Sequence, residues 1–191
     1  MWLTDMGGIA QAVLRTALIG SAAGGLIYLI FWFCIRKKEQ LPLRIHLLRW
    51  LFSAYLVSLV LLTLVPSGHE ADINLIPFRS LAFAVESGFE TAQNLLILNI
   101  LLFVPLGVFL PLVFKKAEKI AKTVLICFGA SLAIELLQLI LPLGRAFDVD
   151  DLILNTFGGA LGYALYVVCR MVFARQKIRL SEKFRLLPFL R

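Results

Sequence analysis

The chain has 191 residues, of which 60% are hydrophobic and 16% charged. A soluble domain carries about 25% charged residues, so with a mean hydropathy of +0.89 the composition excludes an ordinary soluble enzyme and points to one polytopic membrane domain. The net charge of +7 is distributed over loops between apolar runs, which reads as membrane topology and not as nucleic-acid binding.

The first stretch, MWLTDMGGIAQAVLR, lacks a positive region ahead of its apolar run, so an uncleaved first span is expected. A spanning helix needs about 20 mostly apolar residues. Segments of that kind run from about Thr16 to Ile35, Leu47 to Val65, Leu95 to Phe114, Ile120 to Leu141 and Leu152 to Phe173. Arg36, Lys37, Lys38, Arg44 and Arg49 lie between the first two spans, and Lys115, Lys116, Lys119 and Lys122 between the third and fourth. A third basic run, from Arg170 to Arg191, closes the chain. Lys and Arg concentrate in cytoplasmic loops. The expected fold is therefore an all-α polytopic membrane protein with five transmembrane helices, N-terminus outside and C-terminus cytoplasmic. Residues 1–173 form the transmembrane domain and 174–191 a basic amphipathic tail suited to an anionic inner leaflet.

Gly20 and Gly24 in the first span, and Gly158 and Gly162 in the fifth, are small-xxx-small pairs that let another helix backbone approach closely. They serve packing within the chain or a homo-oligomer contact through the glycine faces. Cys34, Cys127 and Cys169 all fall in or beside apolar runs, with no metal-binding spacing. The loop from Pro66 to Gln93 is too long for a plain turn and too apolar at its centre for a linker. It reads as an outer re-entrant or interfacial segment. His69, beside Glu70 and Asp72, reads as a solvated histidine.

The polar residues inside the spans carry the chemistry. At about 1.5 Å per residue, Asn99, Glu135, Gln138 and Asn155 all lie within roughly 9 Å of the outer boundary. Arg145, Asp148, Asp150 and Asp151 sit directly above. Ser131, Glu135 and Gln138 share one helical face, as do Asp151, Asn155, Gly158 and Gly162. A carboxylate in a bilayer faces a protein interior or a wet cavity and takes a partner. For Glu135 the nearest candidate partner is Arg145, then Arg79. A purely structural account stands beside this one: Asp150 or Asp151 capping the fifth span, Arg145 and Asp148 as a surface pair, Asn99 and Asn155 as interhelical glue. Pro105 and Pro111, with Gly107, kink the third span and either open space or adjust packing.

The set NLIPF (74–78), NILLFVPLG (99–107), SLAIELLQ (131–138) and GRAFDVDDLILNTFGGALG (144–162) resembles the VanZ-like family over about residues 70–165. The resemblance implies a small bacterial cell-membrane protein, in a family named for a protein associated with teicoplanin resistance. It also implies a shared outward-facing polar cluster of Asn74, Pro77, Phe78, Asn99, Pro105, Gly107, Glu135, Gln138, Arg145, Asp148, Asp151, Asn155 and Gly158. The expected function is binding of an amphiphilic cell-envelope ligand or lipoglycopeptide in a polar cleft. Its ligand-binding residues are Asn74, Arg79, Asn99, Glu135, Gln138, Arg145, Asp148, Asp151 and Asn155. Arginines there suit a carboxylate or phosphate, and aspartates an amine. One alternative is a membrane enzyme on a lipid-linked phosphate, with Glu135 as general acid or base and Asp148, Asp150 and Asp151 as candidate metal ligands. Another is a structural partner of cell-envelope machinery. No cofactor is expected, and the partners are membrane lipids and the amphiphile.

Overall fold

The computed structural model describes residues 15–16, 18–30, 42–64, 73–141 and 147–185, with side chains except at 94 and 176–185. Nearly all of it is helical. A short apolar helix, α1 (Leu18–Ile30), comes first. Helices α2 (Leu43–Thr63), α4 (Phe89–Val113), α5 (Ile120–Ile140) and the Val149–Arg175 part of α6 (Val149–Arg185) are each long and apolar enough to cross a membrane. Between them lie a two-residue strand β1 (Ile73–Asn74), a short helix α3 (Arg79–Ser87) and a second two-residue strand β2 (Phe147–Asp148). The expected end of the first span, Arg36, Lys37 and Lys38 after it, His69 and Arg145 lie outside the described residues, whereas Arg44 and Arg49 fall within α2.

Three helices start earlier than their apolar runs suggest. α2 begins at Leu43 and not at Leu47. α4 begins at Phe89 and not at Leu95. Its added turn carries exposed Glu90, Thr91 and Gln93, and the carboxylate complements the positive end of the helix. α6 begins at Val149 and not at Leu152, with the cap described below. It then runs unbroken to Arg185, so the backbone marks no boundary between span and tail near 173.

The four long helices alternate in direction. The ends at Thr63, Phe89, Ile140 and Val149 gather at one pole; those at Leu43, Val113 and Ile120 lie at the other. α4 is central and packs on α2, α3, α5 and, most extensively, α6. Phe103, Leu106 and Leu110 of α4 meet Phe52 and Leu59 of α2 and Cys127 and Ile134 of α5 in one apolar cluster.

Glycine sets the closest contacts. A Cβ at Gly158 would stand 2.2 Å from the Ile100 carbonyl oxygen, and one at Gly162 2.0 Å from that of Val104. α6 thus lies backbone-to-backbone on α4. Gly24 does the same for α1, where a Cβ would come within 2.4 Å of the Ala54 nitrogen. Both glycine faces offered for oligomer contact are thus occupied within the chain. Gly107 meets the same fate: a Cβ there would lie 2.0 Å from the Gly159 carbonyl oxygen. The proline region of α4 therefore packs tightly and opens no space beside Gly107. A proline removes the N–H that would bond four residues back; near Pro105, the Tyr55 hydroxyl donates to the Leu102 carbonyl at 2.8 Å.

Candidate functional site

The polar residues of four segments meet at the pole where Thr63, Phe89, Ile140 and Val149 gather. Two short stretches, residues 73–81 and 147–151, organise them. β1 and β2 pair in parallel, with Ile73 opposite Phe147 and Asn74 opposite Asp148. Each strand turns into a helix through an Asx turn, in which a side-chain oxygen accepts an N–H two residues on. The Asn74 Oδ1 accepts from Ile76 N–H at 3.2 Å, and the Asp148 Oδ1 from Asp150 N–H at 2.9 Å. The two turns are tied together: Asn74 Nδ2 donates to Asp148 Oδ1 at 3.0 Å and to Ser80 Oγ at 2.9 Å.

Asp150 has a different task. It lies in the first turn of α6, yet its carboxylate caps α3. Phe78 N–H donates to Oδ1, while Ser80 and Leu81 N–H donate to Oδ2 at 2.9 and 3.2 Å. Helix starts leave such N–H groups without intrahelical partners, and a hydrogen bond to a charged group is worth about 1.5–3 kcal/mol. This offsets a local cost. Phe78 has φ 65° in the left-handed region, which for a side-chain-bearing residue costs roughly 1–2 kcal/mol. Pro77 and Phe78 thus make the sharp entry into α3, and Gly88, at φ 129°, makes the sharp exit into α4.

Glu135 of α5 lies beneath this pair of turns. It is 1% exposed and its Oε2 accepts the Asp148 N–H at 2.9 Å. One turn below, Asn155 Nδ2 donates to Ser131 Oγ at 2.9 Å. The Asn155 Oδ1 is buried and accepts no hydrogen bond from the described residues. Asn99 of α4 donates to Asp151 of α6. Gln138 reaches sideways, donating from Nε2 to the Thr63 carbonyl at 2.7 Å, where α2 ends. Asn74, Glu135, Gln138, Asp150 and Asn155 are all buried. Hydrogen bonds tie Asn74 to Asp148, Glu135 to the Asp148 N–H and Asn155 to Ser131 in one knotted, buried polar layer.

Of the nine residues expected to bind ligand, seven thus join this layer. Arg79 does not: it stands exposed on the first turn of α3, with no side-chain partner among the described residues. Arg145 lies outside them. Asp148, Asp150 and Asp151 point to separate donors, and no group of His, Cys, Asp or Glu suited to hold a metal ion occurs among the described residues. Catalysis by Glu135 gains no support from its enclosure. The cross-chain role of Asp150 escaped the sequence reading. One signal was present: Arg79 is preceded by Ile76, Pro77 and Phe78, none of them a usual capping residue. Ser80 and the Thr63 carbonyl were missed because neither breaks an apolar pattern.

A family profile described as VanZ/LLP1 matches residues 52–170, more than half of the chain. The chain belongs to this family. The match spans every residue of the polar layer and stops short of α1. Protein VanZ of Enterococcus faecium is 33% identical over 127 residues, covering 62% of this chain and 72% of that relative. No solved structure matches. The matched part thus runs from the middle of α2 to Arg170 in α6 and includes the polar pole.

Proposed function

We propose that this chain is a multi-pass protein of the bacterial cell membrane that engages an amphiphilic cell-envelope ligand at its outer face. Lysines and arginines favour the cytoplasmic side of a membrane. Lys115, Lys116, Lys119 and Lys122 lie at the pole opposite the polar layer, which supports an outward knot, with the N-terminus outside if α1 crosses. The ligand's head carries a carboxylate or phosphate, taken by Arg79, and Arg145 from the neighbouring loop is its second candidate. The teicoplanin association implied by the family resemblance makes a lipoglycopeptide one ligand of this class.

The observation that carries this reading is the anchoring of α3. A buried carboxylate and a paired turn hold a short helix at the membrane end, while Arg79 points out beside exposed Leu75, Ile76, Phe78 and Phe83. A cation next to an apolar face fits an amphiphile with an anionic head. The knot is then the rigid support for this surface, and its aspartates and Glu135 act by positioning.

The test is expression in a teicoplanin-susceptible bacterium. The expected result is a higher tolerated concentration with the wild-type chain and its loss with Arg79→Glu at equal membrane levels. Equal tolerance for cells carrying the wild-type chain, Arg79→Glu or no insert contradicts the proposal.

A further inference from the structure

Acidic groups suit the start of a helix and basic groups its end, because the peptide dipoles leave the start positive. α4 and α6 follow this, opening on Glu90 and Asp151. α3 reverses it: no acidic residue lies in its first turn and no basic one in its last. Instead Arg79 opens the helix and Glu86 stands next to its end. Each charge opposes the dipole, so helix stability accounts for neither. Places where a sequence breaks a local rule are where function is expected.

The helix sets both charges on one face. Ala84 is 3% exposed and marks the side packed on the bundle, with Ser80 and Leu81 half-buried beside it. Arg79, Ala82, Phe83 and Glu86, spaced i, i+3, i+4 and i+7, share the opposite face, and all four are exposed. Neither charge has a side-chain partner among the described residues. At about 1.5 Å per residue, Arg79 and Glu86 stand roughly 10 Å apart along the axis. The Phe83 ring, 70% exposed, lies between them. The spacing is held at both ends of α3: Asp150 caps its start, and Gly88 turns the chain sharply into α4.

A fixed cation and a fixed anion select a ligand with the opposite charges at the same spacing. The head of an ordinary zwitterionic phospholipid holds its phosphate and amine only a few bonds apart, too close to meet both. Three extended peptide residues, at about 3.3–3.6 Å each, span the distance, with an amine at one end and a carboxylate at the other. The exposed ring between the charges then meets an apolar group carried by the middle residue.

We infer that the outer face of α3 recognises a peptide-headed amphiphile. Arg79 takes its carboxylate, Glu86 takes an amine about three residues away, and Phe83 meets the root of its acyl chain. This rests on the outer-face reading of Arg79 and adds a second charge at a set distance.

The full chain in phosphatidylcholine nanodiscs is titrated with Gly-Lys-Gly carrying palmitate on the lysine side-chain nitrogen. Three forms are compared: both ends free, the amine acetylated, and the carboxylate amidated. The expected result is that the wild type loses about ten-fold in affinity on acetylation and as much on amidation, the lower end for a charge-assisted hydrogen bond. Glu86→Gln abolishes the effect of acetylation and keeps that of amidation, and Arg79→Gln does the reverse. Equal wild-type affinity for the free and acetylated peptides, or an acetylation effect that survives in Glu86→Gln, overturns the second charge. The amidation effect then still reports on Arg79, and its absence from the wild type overturns the outer-face reading as well.

Discussion

Asp150 and Phe78 lie 72 positions apart, yet the carboxylate of the first accepts the backbone N–H of the second. Through this contact the start of α6 dictates where α3 begins, and Phe78 keeps a backbone conformation that it would otherwise leave. The same carboxylate takes Ser80 and Leu81 N–H. A single side chain thus caps a helix in a distant part of the chain.

Asp150→Ala leaves three N–H groups to find water at the membrane end. With charged hydrogen bonds at about 1.5–3 kcal/mol each and partial replacement by solvent, a loss of about 3 kcal/mol is expected. Asp150→Asn retains an acceptor oxygen and should lose about half as much. Thermal unfolding in detergent measures the difference. Faster amide exchange confined to residues 78–87 identifies its place.

Asn74 and Asp148 should be energetically coupled. Each supports its own turn, and the two bond across the strand pair. In a cycle of Asn74→Ala, Asp148→Ala and the double variant, the coupling expected for side chains in one network is about 0.5–3 kcal/mol. Additive losses would mean that the two turns form independently.

At Glu135 the shape of the acceptor matters. Glu135→Gln keeps an oxygen for the Asp148 N–H, whereas Glu135→Leu strands that buried donor at a cost of about 1–3 kcal/mol. Unfolding midpoints should therefore rank wild type, then Gln, then Leu. A Leu variant as stable as wild type would show that the contact contributes nothing.

The glycines supply a paired control. Gly158→Ala drives a Cβ into the Ile100 carbonyl, and overpacking of this kind costs about 1–3 kcal/mol. Gly129 is also within a helix, but nothing lies within 4 Å of a Cβ built there. Gly129→Ala should therefore stabilise α5 by up to about 1 kcal/mol. Opposite shifts in unfolding midpoint are the expected outcome.

Much of this was legible in the sequence, for identifiable reasons. Four spans follow from apolar runs long enough to leave little choice, and Asn99, Glu135 and Asn155 stand out against them. The depth argument placed them in one layer because helical rise is constant. What it did not specify was pairing. Asn99 selects Asp151, Asn155 selects Ser131, and Glu135 accepts a backbone N–H. Such choices depend on helix rotation and on the β1–β2 pairing, which two residues per strand leave no periodicity to detect. Most of these groups find partners within the layer, while the buried Asn155 Oδ1 accepts no hydrogen bond from the described residues. For the glycines, the sequence showed close approach at Gly20, Gly24, Gly158 and Gly162, but not its partner.

Orientation has its own test. With native cysteines replaced, Ser87→Cys should react with a membrane-impermeant maleimide on intact cells, and Lys116→Cys only after permeabilisation. The reverse pattern would place the polar pole inside.

The most direct measurement of the central claim is an equilibrium titration of a single-chain alkyl phosphate, as an anionic-headed amphiphile, against the purified chain in phosphatidylcholine nanodiscs. A charge-assisted contact of about 1.5–3 kcal/mol corresponds to roughly 10- to 150-fold in affinity. Arg79→Glu should weaken binding by at least that lower factor, and Asp150→Ala should weaken it too by releasing the helix that presents Arg79. Equal affinity for wild type and Arg79→Glu would contradict the account.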